Sequence, residues 1–200
     1  IYMDNAATTS TAPEVVSAML PFFTEYYGNP SSVYNFAQKS KMAIEDAREI
    51  IADSIGAAKS NEIYFTGGGS ESDNWALKSA AFGLRDKGNH IITTKIEHHA
   101  ILNTCAYLEK NGFEVTYLDV DSEGFVSLED VENAITEKTI LISVMFANNE
   151  IGTIEPVCEI GEIAHKHGIL FHTDAVQAMC HVPINVTEMN IDLLSASAHK

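Results

Sequence analysis

Reactive polar side chains in this sequence stand repeatedly at the ends of apolar runs. Gly67-Gly68-Gly69-Ser70 follows the run 62–66, Glu97-His98-His99 follows 90–95, and Asn148-Asn149-Glu150 follows 139–147. Asp174 to Gln177 closes 169–174, and Ser197-Ala198-His199-Lys200 closes 193–198. Each cluster has a chemistry and a plainer alternative. Glycine backbone N–H groups at a helix start can cradle a phosphate; the same four residues also suit an ordinary tight strand-to-helix turn. The pattern is neither Gly-x-Gly-x-x-Gly nor a lysine-containing P-loop, so a dinucleotide or ATP is disfavoured. Asp174 can hold a positively charged ring nitrogen or cap the next helix. His98 and His99 are neighbours whose side chains point apart, with no Cys or His following at zinc spacing, so a metal pair is disfavoured and a surface imidazole remains open. Lys200, just past an apolar strand, can be a desolvated nucleophilic amine or a solvated ammonium. Cys105, Cys158 and Cys180 read as small hydrophobes, with Cys158 closest to a helix start.

The elements that must position these clusters alternate in type. An extended arm opens the chain, and Thr11 to Glu14 reads as a capping box with Pro13 in the first turn, starting a helix to about Tyr27. Gly28-Asn29-Pro30-Ser31-Ser32 breaks the chain before a second helix. Ile44, Ala47, Ile50, Ile51 and Ile55 form its stripe, and Gly56 ends it. Strands are then expected at 62–66, 90–95, 113–120, 139–147, 169–174 and 193–198. Helices are expected at 70–87, 100–111, 128–135 and 157–167. Alternation of this kind gives an α/β fold: a mostly parallel sheet with helices on both faces. Ligands of such sheets sit at the carboxyl ends of the strands, where the polar clusters fall.

Composition narrows the function classes. Lys plus Arg is 12 and Asp plus Glu 28, a net charge of −16. That disfavours a nucleic-acid backbone as partner and an anionic membrane surface. No apolar run reaches the length of a transmembrane helix. Three widely spaced cysteines do not suggest a disulfide framework. No signal peptide opens the sequence, and the expected compartment is the cytoplasm.

The clusters carry a resemblance. Tyr2-Met3-Asp4-Asn5-Ala6-Ala7-Thr8-Thr9, Gly28-Asn29-Pro30-Ser31-Ser32 and Thr66-Gly67-Gly68-Gly69-Ser70-Glu71-Ser72-Asp73-Asn74 are followed by Glu97-His98-His99-Ala100 and Asn148-Asn149-Glu150-Ile151-Gly152. Phe171-His172-Thr173-Asp174-Ala175-Val176-Gln177-Ala178 and Ser195-Ala196-Ser197-Ala198-His199-Lys200 complete the series. In this order they resemble the cysteine desulfurases, pyridoxal-phosphate enzymes of fold type I in the class V aminotransferase group. The Asn-Asn-Glu-Ile-Gly segment is similar to the branch that supplies sulfur for iron–sulfur cluster assembly.

The resemblance alone implies a cofactor, a substrate and a set of residue roles. The cofactor is pyridoxal 5'-phosphate, in a large domain built on a seven-stranded-type sheet. Lys200 forms its Schiff base and later moves the α-proton, and Asp174 pairs with the pyridine nitrogen. His98 stacks on the ring and serves as an acid–base group. Gln177 bonds the ring hydroxyl oxygen, and Asn149 contacts that hydroxyl or the substrate carboxylate. The Gly69 backbone, Ser70, Ser197 and His199 hold the phosphate. The substrate is L-cysteine, the products are L-alanine and an enzyme persulfide, the sulfur acceptor is an iron–sulfur scaffold protein, and the assembly is a homodimer. A selenocysteine or other C–S lyase of the same fold is the alternative. The family often has Ala-Thr where Gly69-Ser70 stand and His where Tyr34 stands; the serine keeps the hydroxyl, and Tyr34 leaves substrate detail open. Residues 1–14 are expected to be an arm belonging with a small domain, and 15–200 the cofactor-binding domain, incomplete at its C-terminal end. The small domain and the nucleophilic cysteine loop lie in the absent half. The 200 residues by themselves are expected to be an inactive cofactor-binding fragment.

Overall fold

Pro13 sets the start of the first helix. Its ring locks its own φ and pushes the preceding residue into extended backbone. In this computed structural model, which describes residues 1–200, α1 (Pro13–Thr24) begins there, with Ala12 as N-cap at φ −61°, ψ 140°. The expected Thr11–Glu14 capping box therefore does not form, and no side chain caps the helix. The helix stops at Thr24, short of Tyr27, where the N–H groups of Glu25 and Tyr26 both turn back to the Pro21 carbonyl. In α2 (Asn35–Ile55) the stripe is buried or half-buried except at Ile50, which is exposed. Gly56 ends it in the left-handed conformation. The strand expected at 62–66 is absent. Ser60–Glu62 is a single 3₁₀ turn, and residues 63–65 run on without a ladder partner while Arg48 donates to the Ile63 carbonyl. A short β-prone run becomes a strand only beside another strand, and the sheet's strands lie elsewhere. Residues Ile1–Phe65 with His199 form one compact unit.

Thr66–Ala198 with Lys200 form the second unit. It holds α3 (Gly69–Gly83), β1 (His90–Thr94), α4 (His99–Lys110), β2 (Glu114–Leu118), α5 (Leu128–Ala134), β3 (Thr139–Ser143), α6 (Val157–His167), β4 (Leu170–Asp174) and β5 (Leu193–Ser195). The strands make a five-stranded, all-parallel sheet in the order β2-β1-β3-β4-β5. The expected α/β architecture is present, with five strands of the seven-stranded type. Four of the five strands end earlier than expected, β4 alone reaching its expected end at Asp174, and α3 ends at Gly83 rather than 87. Val144 and Phe146 still donate to His172 and Asp174 carbonyls beyond β3, but as irregular backbone.

The strand order dictates where a ligand belongs. From β1 the chain crosses to β2 on one side, then winds back past β1 to β3, β4 and β5. Parallel crossovers are right-handed, so the reversal puts α4 on one face and α5 and α6 on the other. The winding changes direction between β1 and β3, the position where doubly wound sheets open a crevice at the carboxyl ends of the strands.

The central strands β1 and β3 are buried at every residue. Leu77, Ile91, Ile101, Leu108, Phe113 and Leu141 centre a core shared by α3, α4 and the sheet. At the opposite end of β1, His90 bridges Thr139 Oγ1 (2.7 Å) and Thr116 Oγ1 (2.8 Å), pinning the strand between its neighbours.

On the other side, α6 approaches the segment before β5 so closely that a Cβ at Gly161 would lie 2.1 Å from the Met189 carbonyl oxygen. Gly83, in the last turn of α3, has nothing within 4 Å of such a Cβ. Gly83→Ala should be neutral or stabilising by up to about 1 kcal/mol. Gly161→Ala should destabilise by roughly 1–3 kcal/mol through overpacking. Urea unfolding of the two variants checks this, and equal midpoints would refute the close approach.

Candidate active site

The two strands flanking the winding reversal end in the turns that carry His98 and Asn149. Beyond β1 the chain passes through Glu97 into His98, the N-cap of α4, whose Nδ1 accepts from the Ala100 N–H at 3.1 Å. An Nδ1 that accepts leaves the proton on Nε2, so this bond assigns the tautomer of the neutral ring. Beyond β3, Asn148 is buried and Asn149 exposed. Asn148 Oδ1 accepts from the N–H groups of Glu150 and Ile151, and its Nδ2 donates to the Ile96 carbonyl at 3.2 Å. Asn149 therefore projects from a turn that its neighbour shapes.

Asp174 ends β4, opposite Ser195 in β5. Burial pushes its carboxyl upward, while the N–H of Val176 (2.9 Å to Oδ1) and the nearby His98 and Lys200 pull it down. The electrostatic influence of both residues on one carboxylate brings His98, Asp174 and Lys200 into one site. Two residues earlier on the same strand face, His172 is fully buried. Its Nδ1 meets Ser143 Oγ at 2.9 Å and its Nε2 meets Ser195 Oγ at 3.0 Å. Burial drives His172 down to about 3, so it is a neutral ring, and its 3.9 Å approach to Asp73 Oδ1 is not an ion pair. Asp73, on α3 and 1% exposed, is pushed up to about 7 by burial and by the Asp174 charge, against a hydrogen bond from Ser195.

The glycine turn sits at the start of α3. Gly68 is its N-cap at φ 155°, ψ 175°, and its carbonyl accepts from Glu71 and Ser72. Gly67 N–H is taken by the Glu71 carboxylate. Gly69 and Ser70 follow at the open helix end, where backbone N–H groups have no intrahelical acceptor. A Cβ at Gly69 would lie 2.8 Å from Val176 Cγ2 and 3.8 Å from Ser197 Cβ, so the turns after β4 and β5 converge on it. Gln177 and Ser197 are half-buried in those turns, and Ser70 is exposed. His199 groups with the amino-terminal unit: its Nδ1 lies 3.1 Å from Thr8 Oγ1, and its carbonyl accepts from Thr9 Oγ1 at 2.6 Å.

The site also contains residues whose roles the residue order did not reveal. Asp73, Glu97, Asn148 and His172 were visible only as members of motifs. For Glu97, Asn148 and His172 the signal is faint: each is a polar residue in or beside an apolar run, where burial without a partner is costly; Asp73, in a polar stretch, gives none. Neither Cys105 nor Cys158 is a poised nucleophile. Cys105 is buried in α4 with its thiol pushed up to about 12 by burial, and burial also raises the exposed Cys158.

The family model for class-V aminotransferases matches residues 1–200. Cysteine desulfurase IscS of Clostridium botulinum (strain Kyoto / Type A2) is 66% identical over 200 residues, covering 100% of this chain and 50% of that protein. Cysteine desulfurase IscS of Methanosarcina thermophila is 64% identical, with 100% and 49% covered. Among solved structures, one described as SspA in complex with cysteine superposes with a TM-score of 0.96 at 47% identity, covering 99% of this chain and 57% of that one. A NifS-like protein does so with a TM-score of 0.96 at 42% identity, covering 100% and 55%. The chain spans about half the length of the curated relatives it matches.

Gly68 is the backbone position on which the glycine turn depends. Its φ lies where L side chains are strained. Gly68→Ala should cost roughly 1–3 kcal/mol in urea unfolding. Gly67→Ala should cost less, because its Cβ would meet only the movable end of Glu71. Equal costs would mean that the turn has no special backbone demand.

Proposed function

The chain belongs to the class-V aminotransferase family, and on that premise we propose that it is the cofactor-binding half of a pyridoxal 5'-phosphate-dependent cysteine desulfurase. The observation that carries the reading is the buried Asp174 carboxylate, with His98 and Lys200 close enough to act on its charge. A desolvated carboxylate favours a cationic partner, and a protonated ring nitrogen is one. The residues fit the cofactor in a second respect: the space beside Gly69, bounded by Val176 and Ser197, admits no side chain on the turn, which suits close approach of backbone N–H groups to a phosphate.

On this reading Asp174 holds the ring nitrogen, and the N–H groups at Gly69 and Ser70, with the Ser70 and Ser197 hydroxyls, hold the phosphate. Gln177 donates to the ring oxygen, and His98 covers the ring face. Asn149 orients the ring hydroxyl or the substrate carboxylate. Lys200 Nζ anchors the cofactor and then takes the α-proton of the substrate. When bound, the cofactor supplies the electron sink for the pair left at the α-carbon. The substrate is L-cysteine and the carbon product L-alanine. A cysteine thiolate attacks the substrate sulfur, forming an S–S bond as the Cβ–S bond breaks. Buried Cys105 is unsuited to that role, and we place the nucleophile outside these 200 residues. The persulfide sulfur passes to an iron–sulfur scaffold protein, and the working enzyme is a cytoplasmic homodimer.

Intact mass spectrometry with and without borohydride reduction tests the anchor. The full-length protein should gain one reduced cofactor, and Lys200→Ala should lose both that adduct and the visible absorbance. An unchanged spectrum in the variant would refute the assignment. The isolated 200 residues should release no sulfide from L-cysteine; release at the full-length rate would overturn the division of labour.

A further inference from the structure

Glu97 is the first residue of the β1 exit turn to lie buried, 5% exposed, directly before His98. Its Oε1 accepts from Thr94 Oγ1 at 2.8 Å and from the backbone N–H of Met145 at 2.9 Å. Met145 lies in the segment leaving β3, three residues before Asn148. Asn148 adds a second tie, its Nδ2 donating to the carbonyl of Ile96, the residue before Glu97. Two bonds thus cross the gap at the winding reversal, both donated from the β3 exit and accepted on the β1 exit. One runs from the β3 exit to the Glu97 side chain, the other from the Asn148 side chain to the β1 exit.

We propose that Glu97 is a positioning residue, which clamps the turn bearing His98 to the turn bearing Asn149 and so sets the separation of the two groups across the cofactor crevice. This rests on the cofactor-site reading above, in which His98 and Asn149 face the ring. Glu97 does this as a neutral acid. Both donors converge on Oε1, while Oε2 is buried with no hydrogen-bond partner. A buried oxygen that receives no donor leaves a carboxylate's charge poorly compensated, so this environment disfavours the ionised form. Its surroundings agree. The ionisable groups that act on it are Asp174 and Asp73, and it in turn acts on the Cys105 thiol. Burial, with those two carboxylates adding to it, pushes Glu97 up to about 8 against its two hydrogen bonds.

A neutral Glu97 gives the pH effect a definite sign. Between the ordinary glutamate value and about 8 the folded protein holds a proton that the unfolded chain releases. Stability therefore falls as pH rises through that window and is level above it. Glutamine at position 97 keeps the carbonyl acceptor and has no proton to lose.

The test uses the full-length protein carrying Glu97→Gln or Glu97→Leu. Glu97→Gln should bind pyridoxal 5'-phosphate within about twofold of wild type, with the same visible circular dichroism. Its melting temperature relative to wild type, measured without cofactor, should climb from pH 5 to about pH 8 and level off above it. Glu97→Leu fills the space but accepts nothing. It should bind the cofactor at least tenfold more weakly and should exchange amide hydrogens faster across residues 96–100 and 144–149, with or without cofactor. Wild-type affinity and exchange in Glu97→Leu would overturn the positioning role. Glu97→Gln behaving like Glu97→Leu, or a pH-independent offset in its melting temperature, would overturn the neutral acid. Should Glu97→Leu not fold, Thr94→Val, which removes one of the two donors to Oε1, should still speed exchange in the same segments, and its failure to do so would count equally against the clamp. If wild type binds no pyridoxal 5'-phosphate, the cofactor reading fails, while exchange and melting still decide Glu97.

Discussion

Three carboxyl groups, on Asp73, Glu97 and Asp174, lie buried; Asp174 raises the cost of ionising the other two, and Asp73 adds to that cost at Glu97. In a medium of low effective dielectric such a cluster does not carry three full charges. The structure resolves the conflict by giving each acid different company. Glu97 receives two donors on one oxygen and faces no cation. Asp73 faces a neutral imidazole and a serine hydroxyl. Asp174 alone has His98 and Lys200 lowering the cost of its charge, against the upward push of burial.

The sheet makes this arrangement possible. Parallel strands buried on both faces have no aqueous side on which to solvate polar groups, and His172 inside β4 is paired across strands. Ser143 stands beside it on β3, Ser195 reaches it diagonally from the β5 position opposite Asp174, and the three side chains form a hydrogen-bonded row. The row supports Asp174 from behind and fixes the polarity of the layer under α3. At the carboxyl ends the backbone leaves the ladder, and the reversal of winding between β1 and β3 opens room there. Glu97 and Asn148 cross-link the rims of that opening. Rigidity at the rim and desolvation beneath it are the two conditions of a preorganised site, and here the same buried residues provide both.

Much of this was legible from residue order. Gly88, Gly112 and Gly168 punctuate the strand–helix alternation, and the span expected for α6 coincides with the observed Val157–His167. The polar clusters at strand ends mark the crevice because doubly wound sheets bind there. Local patterns failed where tertiary context decides. The 62–66 run has strand composition but no neighbour to pair with. Thr11 and Glu14 have capping-box spacing, but Pro13 places the N-cap at Ala12 instead. Ile50 belongs to the helical stripe by spacing, yet nothing in its unit covers it.

By itself, then, the sequence determined the α/β class, the helix ends at Gly56 and Gly168, and the place of His98, Asn149, Asp174 and Lys200 at or just beyond strand ends, whereas the helix expected to run to Gly88 stops at Gly83. These come from periodicity and turn chemistry, which act over a few residues. Only the tertiary structure decided the strand order β2-β1-β3-β4-β5, and with it which two exit turns flank the crevice. It alone revealed the neutral state of His172, the sharing of charge among Asp73, Glu97 and Asp174, and the Glu97–Met145 tie. The physical reason is range. Burial and charge coupling arise between groups far apart in the chain, and no local pattern of residues records which of them the fold brings together.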